Sequence, residues 1–234
     1  MTVFNKCIAI IVLVASSMFA HGQGNPHLIP DLDFVQYDSS YIHFYNDSSN
    51  FNRFFSKLDK LIFEGEGKVR VMQMGGSHIQ ADIWSDRMRR HFYTLSPNMN
   101  GGRGFLFPYR VAHTNNPYYY RMKTKAEWVG HRNSVMKHKA TWGVSGITAT
   151  TIDSAANLRF YFRGDDVPYY DFNSIKVFHD VDSNYCIDLL SDTAGSISVN
   201  REMGYTEFKF DHYLDTFELM IYREDTMPSQ FNLY

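Results

Sequence analysis

Residues 69–82 read V-R-V-M-Q-M-G-G-S-H-I-Q-A-D, and this stretch decides the predicted fold. The apolar side chains within 69–74 favour a strand that is buried on both faces. The glycine pair at 75–76 permits backbone angles that a side chain would forbid. Apolar residues then recur from Ile79 onward at intervals typical of a helix. The stretch therefore predicts a strand, a tight turn that carries Ser77, and a helix.

Ser77 stands where such a turn presents a hydroxyl at the carboxyl edge of a sheet. Backbone N–H groups at a helix start point to the same place, where they can stabilise an oxyanion. Ser77 is therefore the candidate nucleophile, and Gly76 and Ser77 form the candidate oxyanion turn. A serine at this position is also an ordinary helix N-cap, so the pattern leaves a purely structural role open.

Residues 1–22 have the composition of a secretory signal peptide. A short basic region ends at Lys6, and an apolar run over 7–15 is followed by small and polar residues up to Gly22. The run is too short for a comfortable membrane span. We therefore expect an exported protein, periplasmic or secreted, that has no membrane span after the signal is cleaved.

The rest of the composition narrows the class of protein. The 234 residues include 23 basic and 25 acidic side chains, with a net charge of −2 and no long run of one sign, so we expect no nucleic-acid partner. Cleavage of the signal leaves Cys186 without a second cysteine, which excludes an intramolecular disulfide. The histidines show no paired ligand spacing. We therefore predict no metal and no cofactor.

Two unlike parts follow the predicted signal. Residues 23–140 contain a helical pattern at 51–62, closed by glycines, and then the strand, turn and helix around Ser77, as in an α/β layer fold. Residues 141–234 contain short apolar or alternating runs separated by turn residues, a pattern typical of a β-sandwich or jelly roll. The predicted class is α/β plus all-β. The runs expected to be strands cover 158–162, 174–179, 185–190, 206–210 and 217–222.

The Ser77 stretch, taken with G-G-R-G-F-L-F-P-Y at 101–109 and T-N-N-P at 114–117, resembles the amino-terminal part of an SGNH (GDSL-like) hydrolase. The similarity is to an exported bacterial branch related to peptidoglycan and polysaccharide O-acetylesterases, in which a β-sandwich similar to carbohydrate-binding modules is inserted. The resemblance implies a partial three-layer α/β/α domain over 23–140 and the inserted module over 141–234. It also implies that the serine is the nucleophile of an esterase.

Two features of the chain depart from that family. Gly76 occupies the position of the family's usual aspartate. The family's later Gly-x-Asn-Asp-like block and its Asp-x-x-His do not appear between the β-rich part and Tyr234. We therefore expect the chain to be the N-terminal part of an esterase whose missing C-terminal portion supplies the base. Gly146, within W-G-V-S-G-I-T, is the candidate for the family's block glycine.

Several polar residues of the motif blocks are further candidates for the site loop. His78 adjoins the candidate nucleophile, and Asn115 lies in the T-N-N-P loop. Asp82 and Asp86 would share a helix face and could hold Arg103 near the site. Packing histidines and a solvated helix face are the structural explanations of the same residues. The other histidines considered as a general base are His113, His131 and His138.

Two functions fit these observations. The first is a serine esterase that removes acyl groups, acetyl first among them, from a cell-wall or extracellular glycan, so that an acylated glycan or peptidoglycan is the expected substrate. The second is a non-catalytic protein that binds glycans through its β-rich part. Side chains such as Trp128 and Trp142 could stack on sugar rings, but packing in a core explains such residues more often.

Overall fold

The computed structural model describes residues 31–96, 101–162, 170–190, 194–223 and 225–234, and the predicted signal peptide at 1–22 lies outside them. The described helices are α1 (Ser49–Glu64), α2 (Ser77–Gln80) and α3 (Ile83–Tyr93), and a 3₁₀ turn covers Tyr37–Ser39. The strands are β1 (Tyr120–Lys123), β2 (Val129–Arg132), β3 (Ile147–Thr151), β4 (Ala155–Phe162), β5 (Phe172–Phe178), β6 (Tyr185–Leu189), β7 (Ser196–Asn200), β8 (Tyr205–Leu214), β9 (Thr216–Arg223) and β10 (Phe231–Leu233). None of the helices in these ranges has the length and apolar character needed to cross a bilayer.

The chain divides into two compact units. The first consists of Met1–Arg70 and His91–Pro97, and the second of Val71–Arg90 and Asn98–Tyr234. In the first unit, α1 forms where the helical pattern predicted a helix. It ends at Gly65, whose φ of 71° is the left-handed conformation that glycine adopts most easily.

Three antiparallel sheets make up most of the second unit. One has four strands in the order β1-β4-β9-β6, and the others have the orders β10-β3-β2 and β5-β8-β7. The amide of Tyr234 donates to the carbonyl of Phe178 at 3.0 Å, and the amide of Asp180 donates to that of Asn232 at 3.2 Å. The chain end that includes β10 is therefore hydrogen-bonded to the end of β5, which links the two three-stranded sheets.

One hydrophobic core lies beneath all three sheets. Alternate residues of β4 and β9 point into it, with Leu158 opposite Leu219 and with the rings of Phe160 and Phe217 stacked 4.8 Å apart. Burial of each such side chain contributes about 1.5–3 kcal/mol. The five predicted strand runs all form, as β4, β5, β6, β8 and β9, so the β-rich prediction is confirmed as antiparallel sheet. Core residues from the other two sheets include Ile147, Ala149, Val177, Phe208, Phe210, Phe231 and Leu233.

The predicted strand ahead of Ser77 does not form. Residues 69–74 have no strand pairing, and the side chains of Val71, Met72 and Met74 are 52%, 72% and 80% exposed. A parallel strand that is buried on both faces needs a hydrogen-bonded neighbour on each side, and no described strand pairs with this segment. The prediction of a three-layer α/β/α domain is therefore wrong for the described chain, which is mainly antiparallel β.

The helix predicted from Ile79 onward is divided in two. Asp82 lies between α2 and α3 with a φ of 63°, in the left-handed region, and this residue interrupts the helical path. Strands β1 and β2 precede the predicted domain boundary near residue 140, yet they pair with β4 and β3 beyond it. The division of the chain into domains at that boundary stays a prediction.

Candidate functional site

Ser77 is the first residue of α2, and its side chain is exposed. The carbonyl of Gly76 accepts the amides of Ile79 at 3.0 Å and Gln80 at 3.2 Å, which closes the turn. No side chain among the described residues forms a hydrogen bond with the Ser77 hydroxyl. The predicted turn and helix start are thus present, and the hydroxyl is open to a ligand from solvent.

The structure requires a glycine at only one of the two positions ahead of Ser77. A Cβ on Gly75 would lie 2.6 Å from Cγ1 of Ile79, so a side chain there would collide with the helix that follows. A Cβ on Gly76 would meet no atom within 4 Å, so space does not require a glycine there. Its φ of −86° also lies outside the left-handed region. The candidate oxyanion role of Gly76 stays a prediction.

Gln80 joins the Ser77 segment to the T-N-N-P loop. Its Nε2 donates to Oγ1 of Thr114 at 3.0 Å and to the carbonyl oxygen of Asn115 at 2.7 Å. Asn115, predicted as a site-loop residue, therefore contacts this segment through its backbone. Sequence reasoning passed over Gln80, because a glutamine at a helix end carries no periodic or motif signal of its own.

Asp82 joins the same segment to the G-G-R-G-F loop. Its carboxylate accepts a hydrogen bond from Arg103 at 2.6 Å, and the two side chains are only 4% and 7% exposed. Arg103 also donates to the carbonyl of Phe105 at 2.5 Å, and its guanidinium lies 5.0 Å from the centre of the Tyr120 ring. The ion pair between an aspartate of this segment and Arg103 is present, although Asp82 lies between α2 and α3 and not on a helix face shared with Asp86. The pair anchors the loop, and its place in a functional site stays a prediction.

A wider ionic cluster surrounds this anchor. Asp82 accepts a second hydrogen bond, from Arg89 at 2.5 Å. Asp86 pairs with Arg90 at 2.6 Å and accepts the hydroxyl of Tyr170 at 3.2 Å. Both carboxylates are buried, so each of them needs these donors to offset the loss of water. No pattern in the sequence connects Arg89, Arg90 and Tyr170 with the motif blocks.

The pKa shifts of three donors in and beside the cluster all favour their protonated forms. Burial opposes the charge of Arg89, but the hydrogen bond and charge of Asp82 outweigh it and raise the pKa of Arg89. Burial raises the pKa of Tyr120 and of Tyr170. All three groups therefore keep their protons at neutral pH and act as hydrogen-bond donors.

The histidines considered as a general base make other contacts. Nδ1 of His138 accepts the amide of Arg132 at 3.0 Å, and its ring meets that of His131 edge-on at 5.7 Å. His78 is exposed on α2, and His113 closes a turn with a φ of 52°. In the described part of the chain, none of these histidines is hydrogen-bonded to the candidate nucleophile. Packing accounts for His131 and His138, and a turn accounts for His113.

Gly146 lies in the turn that leads into β3. Its φ is 67°, and a Cβ there would lie 2.4 Å from Nδ2 of the Asn133 side chain. The backbone N–H of Asn133 donates to the Gly146 carbonyl at 2.9 Å. These contacts explain the glycine without reference to catalysis. No hydrogen bond connects it to the Ser77 segment within the described ranges, and its oxyanion role stays a prediction.

A separate cleft of about 670 Å³ lies over the start of the four-stranded sheet. Trp128 contributes to it and is 7% exposed, so most of its ring belongs to the core, whereas Trp142 is 37% exposed. The sequence did not indicate the cleft, because its residues come from positions far apart in the chain. They are Arg110, Val111, His113, Met122, Lys123, Thr124, Lys125, Ala126, Trp128, Asn157, Arg159 and Glu218.

Within the described ranges, no three histidine, cysteine, aspartate or glutamate side chains are grouped so that they could hold a metal ion. Comparison of the chain with protein-family models, curated proteins and solved structures gives no match. The resemblance to SGNH hydrolases therefore rests on the motif blocks and stays a prediction.

Proposed function

We propose that this chain carries the nucleophile segment of a serine esterase that acts on an acylated cell-wall or extracellular glycan. One observation carries the proposal. The three motif blocks of the resemblance meet in space, because Gln80 holds the Asn115 loop and Asp82 holds Arg103. Ser77 stands exposed on the segment that both loops contact. Export, as residues 1–22 predict, would bring such a serine to its substrate.

The chemistry follows from the hydroxyl. Oγ of Ser77 attacks the acyl carbonyl, a general base takes the hydroxyl proton, and the C–O bond to the sugar breaks as that proton passes to the sugar oxygen. Water then hydrolyses the acyl-serine and releases the carboxylic acid. The backbone amide of Ser77 is one donor for the oxyanion of each tetrahedral intermediate. A serine hydroxyl is weak without a base, so the proposal requires one that approaches Ser77 with the ester bound.

The test is hydrolysis of an acetylated glycan by the purified chain and by Ser77→Ala. Ser49→Ala is the matched control, because Ser49 is also an exposed serine at the first position of a helix. We expect activity that is lost in Ser77→Ala and kept in Ser49→Ala, together with a fluorophosphonate adduct on Ser77. Equal rates for the parent and Ser77→Ala would exclude Ser77 as the nucleophile, and no rate above the uncatalysed reaction would exclude that this chain supplies the base by itself.

The second candidate function is glycan binding by the β-rich part, read as a jelly-roll module similar to those that bind carbohydrates. The cleft over the four-stranded sheet favours it, because about 670 Å³ lies within the usual range of ligand pockets. Its test is retention of the chain on immobilised cell-wall glycan. Retention that persists in Ser77→Ala would support this function, and the absence of retention on every glycan tried would contradict it.

A further inference from the structure

The second candidate function leaves the ligand of the cleft open, and the inference drawn here rests on it. We infer that the cleft over β1 and β4 binds a saccharide that carries a carboxylate, with Lys123 and Arg159 as its main cationic contacts. Two features of the cleft support this: the charge of its side chains and the cross-strand position of two of them.

The charge of the cleft is opposite in sign to that of the chain. Four of its side chains are cationic and exposed, namely Arg110, Lys123, Lys125 and Arg159, and Glu218 is its one anionic residue. The whole chain has a net charge of −2. None of the four cations forms a salt bridge within the described ranges. A local excess of unneutralised positive charge attracts an anion.

Cross-strand register places two of these cations directly opposite each other. Lys123 on β1 is the partner of Arg159 on β4, and both point away from the core. Like charges in directly opposite positions are unfavourable. Arg159 also has Glu218 on β9 as a directly opposite partner, with no salt bridge between the two in the described ranges, and Oε1 of Glu218 accepts a hydrogen bond from Asn157 at 2.7 Å. One carboxylate thus faces two cations, and a bound carboxylate would balance the second of them.

The apolar residues at the cleft are almost closed to a ligand. Val111, Met122 and Trp128 are 5%, 6% and 7% exposed, and Met122 faces the core while Lys123 and Arg159 face outward. The apolar surface that a sugar ring could meet is therefore that of the lysine and arginine stems. Arginine and lysine at the rim suit a carboxylate, since charge-assisted hydrogen bonds are stronger than neutral ones.

The test is calorimetric titration with a galacturonic acid trimer and with its fully methyl-esterified form, which differs only in the charge. We expect binding of the acid at least about tenfold tighter than that of the ester, weakening as salt is added. Lys123→Gln and Arg159→Gln should each weaken binding of the acid by about tenfold. Lys209→Gln is the control, because that lysine is exposed on β8 in another sheet, and it should bind as the parent does.

A charge reversal separates loss of binding from loss of folding. Lys123→Glu would place a carboxylate opposite Arg159, which turns an unfavourable pair into a favourable one. We expect this variant to melt no lower than the parent and to lose binding of the acid. Equal affinity for the acid and the ester would overturn the inference and leave glycan binding standing. Absence of binding to either form would overturn both, and inorganic phosphate that competes as well as the trimer would reduce the cleft to a simple anion site.

Discussion

Asp82→Asn tests whether the buried ionic anchor holds the loop of residues 101–117 in place. The substitution keeps the size of the side chain and removes its charge. Asparagine also tolerates the left-handed backbone that Asp82 adopts, with a φ of 63°. Any effect therefore comes from the loss of the carboxylate that Arg89 and Arg103 share. We expect the loop to open far more often in the variant.

The expected free-energy cost of Asp82→Asn follows from the burial of the ion pair. Removal of one partner from a buried ion pair costs about 3–5 kcal/mol. Arg89 keeps Asp86 at 3.8 Å and Tyr170 at 3.2 Å after the change, whereas Arg103 keeps the Phe105 carbonyl. The remaining contacts place the expected cost near the lower limit, at about 3 kcal/mol. Local opening should then be about 100-fold more frequent.

Native-state hydrogen exchange measures this opening directly. The amides of Ala112 and Thr114 both donate to the carbonyl of Tyr109 inside the loop, so their exchange reports its stability. Asp182→Asn is the matched control, because Asp182 pairs with Arg201 at the same 2.6 Å but with side chains 73% and 70% exposed, where a pair contributes about 0–1 kcal/mol. If the two substitutions changed exchange of these amides equally, the anchor would have no role in holding the loop.

Two further predictions concern stability in the β-rich unit. Burial lowers the pKa of His179 below its usual 6.5, so the unfolded chain binds a proton first as the pH falls through that value. The free energy of unfolding should therefore decrease below pH 6.5, and melting curves at pH 7.5 and 5.5 should show a smaller difference in His179→Gln than in the parent. Gly146→Ala should lower the free energy of unfolding, measured in urea, by about 1–3 kcal/mol, because the φ of Gly146 is 67° and the new Cβ would meet Asn133. Gly102→Ala is the control, because Gly102 has room for a Cβ and no left-handed φ. Equal urea midpoints for the two variants would contradict this prediction.

The β-rich half was predictable wherever a strand was long enough to show alternation. Ala155–Phe162 and Thr216–Arg223 alternate buried and outward residues over the first seven of their eight positions, and turn residues separate the other predicted runs. Tyr120–Lys123 and Phe231–Leu233 have only four and three residues, too few to establish a period. Ser196–Asn200 alternates small polar and apolar residues that are mostly exposed, so its pairing, and not its composition, makes it a strand.

The failure at 69–74 has a different cause. The segment satisfies the local pattern of a buried strand, but strand formation also requires partners that lie elsewhere in the chain. No described strand provides them. The contact between Arg103 and Asp82 is a different case. The two residues are 21 positions apart, and the sequence allowed this contact as one of several possibilities, which only the structure could distinguish. The cleft was beyond sequence reasoning, because Arg110 and Glu218 have no shared motif.

The two candidate functions are joined by one loop. Residues 101–117 contact the Ser77 segment through Arg103 and Asn115, and they line the cleft through Arg110 and His113. The unpaired segment at 69–74 gives Ser77 no support from a sheet, so the position of the hydroxyl depends on the loop contacts. A loop held at one end by a buried ion pair would therefore set the geometry of both sites. An esterase whose binding cleft and nucleophile share a loop would place the acyl group and the sugar charge at a fixed spacing.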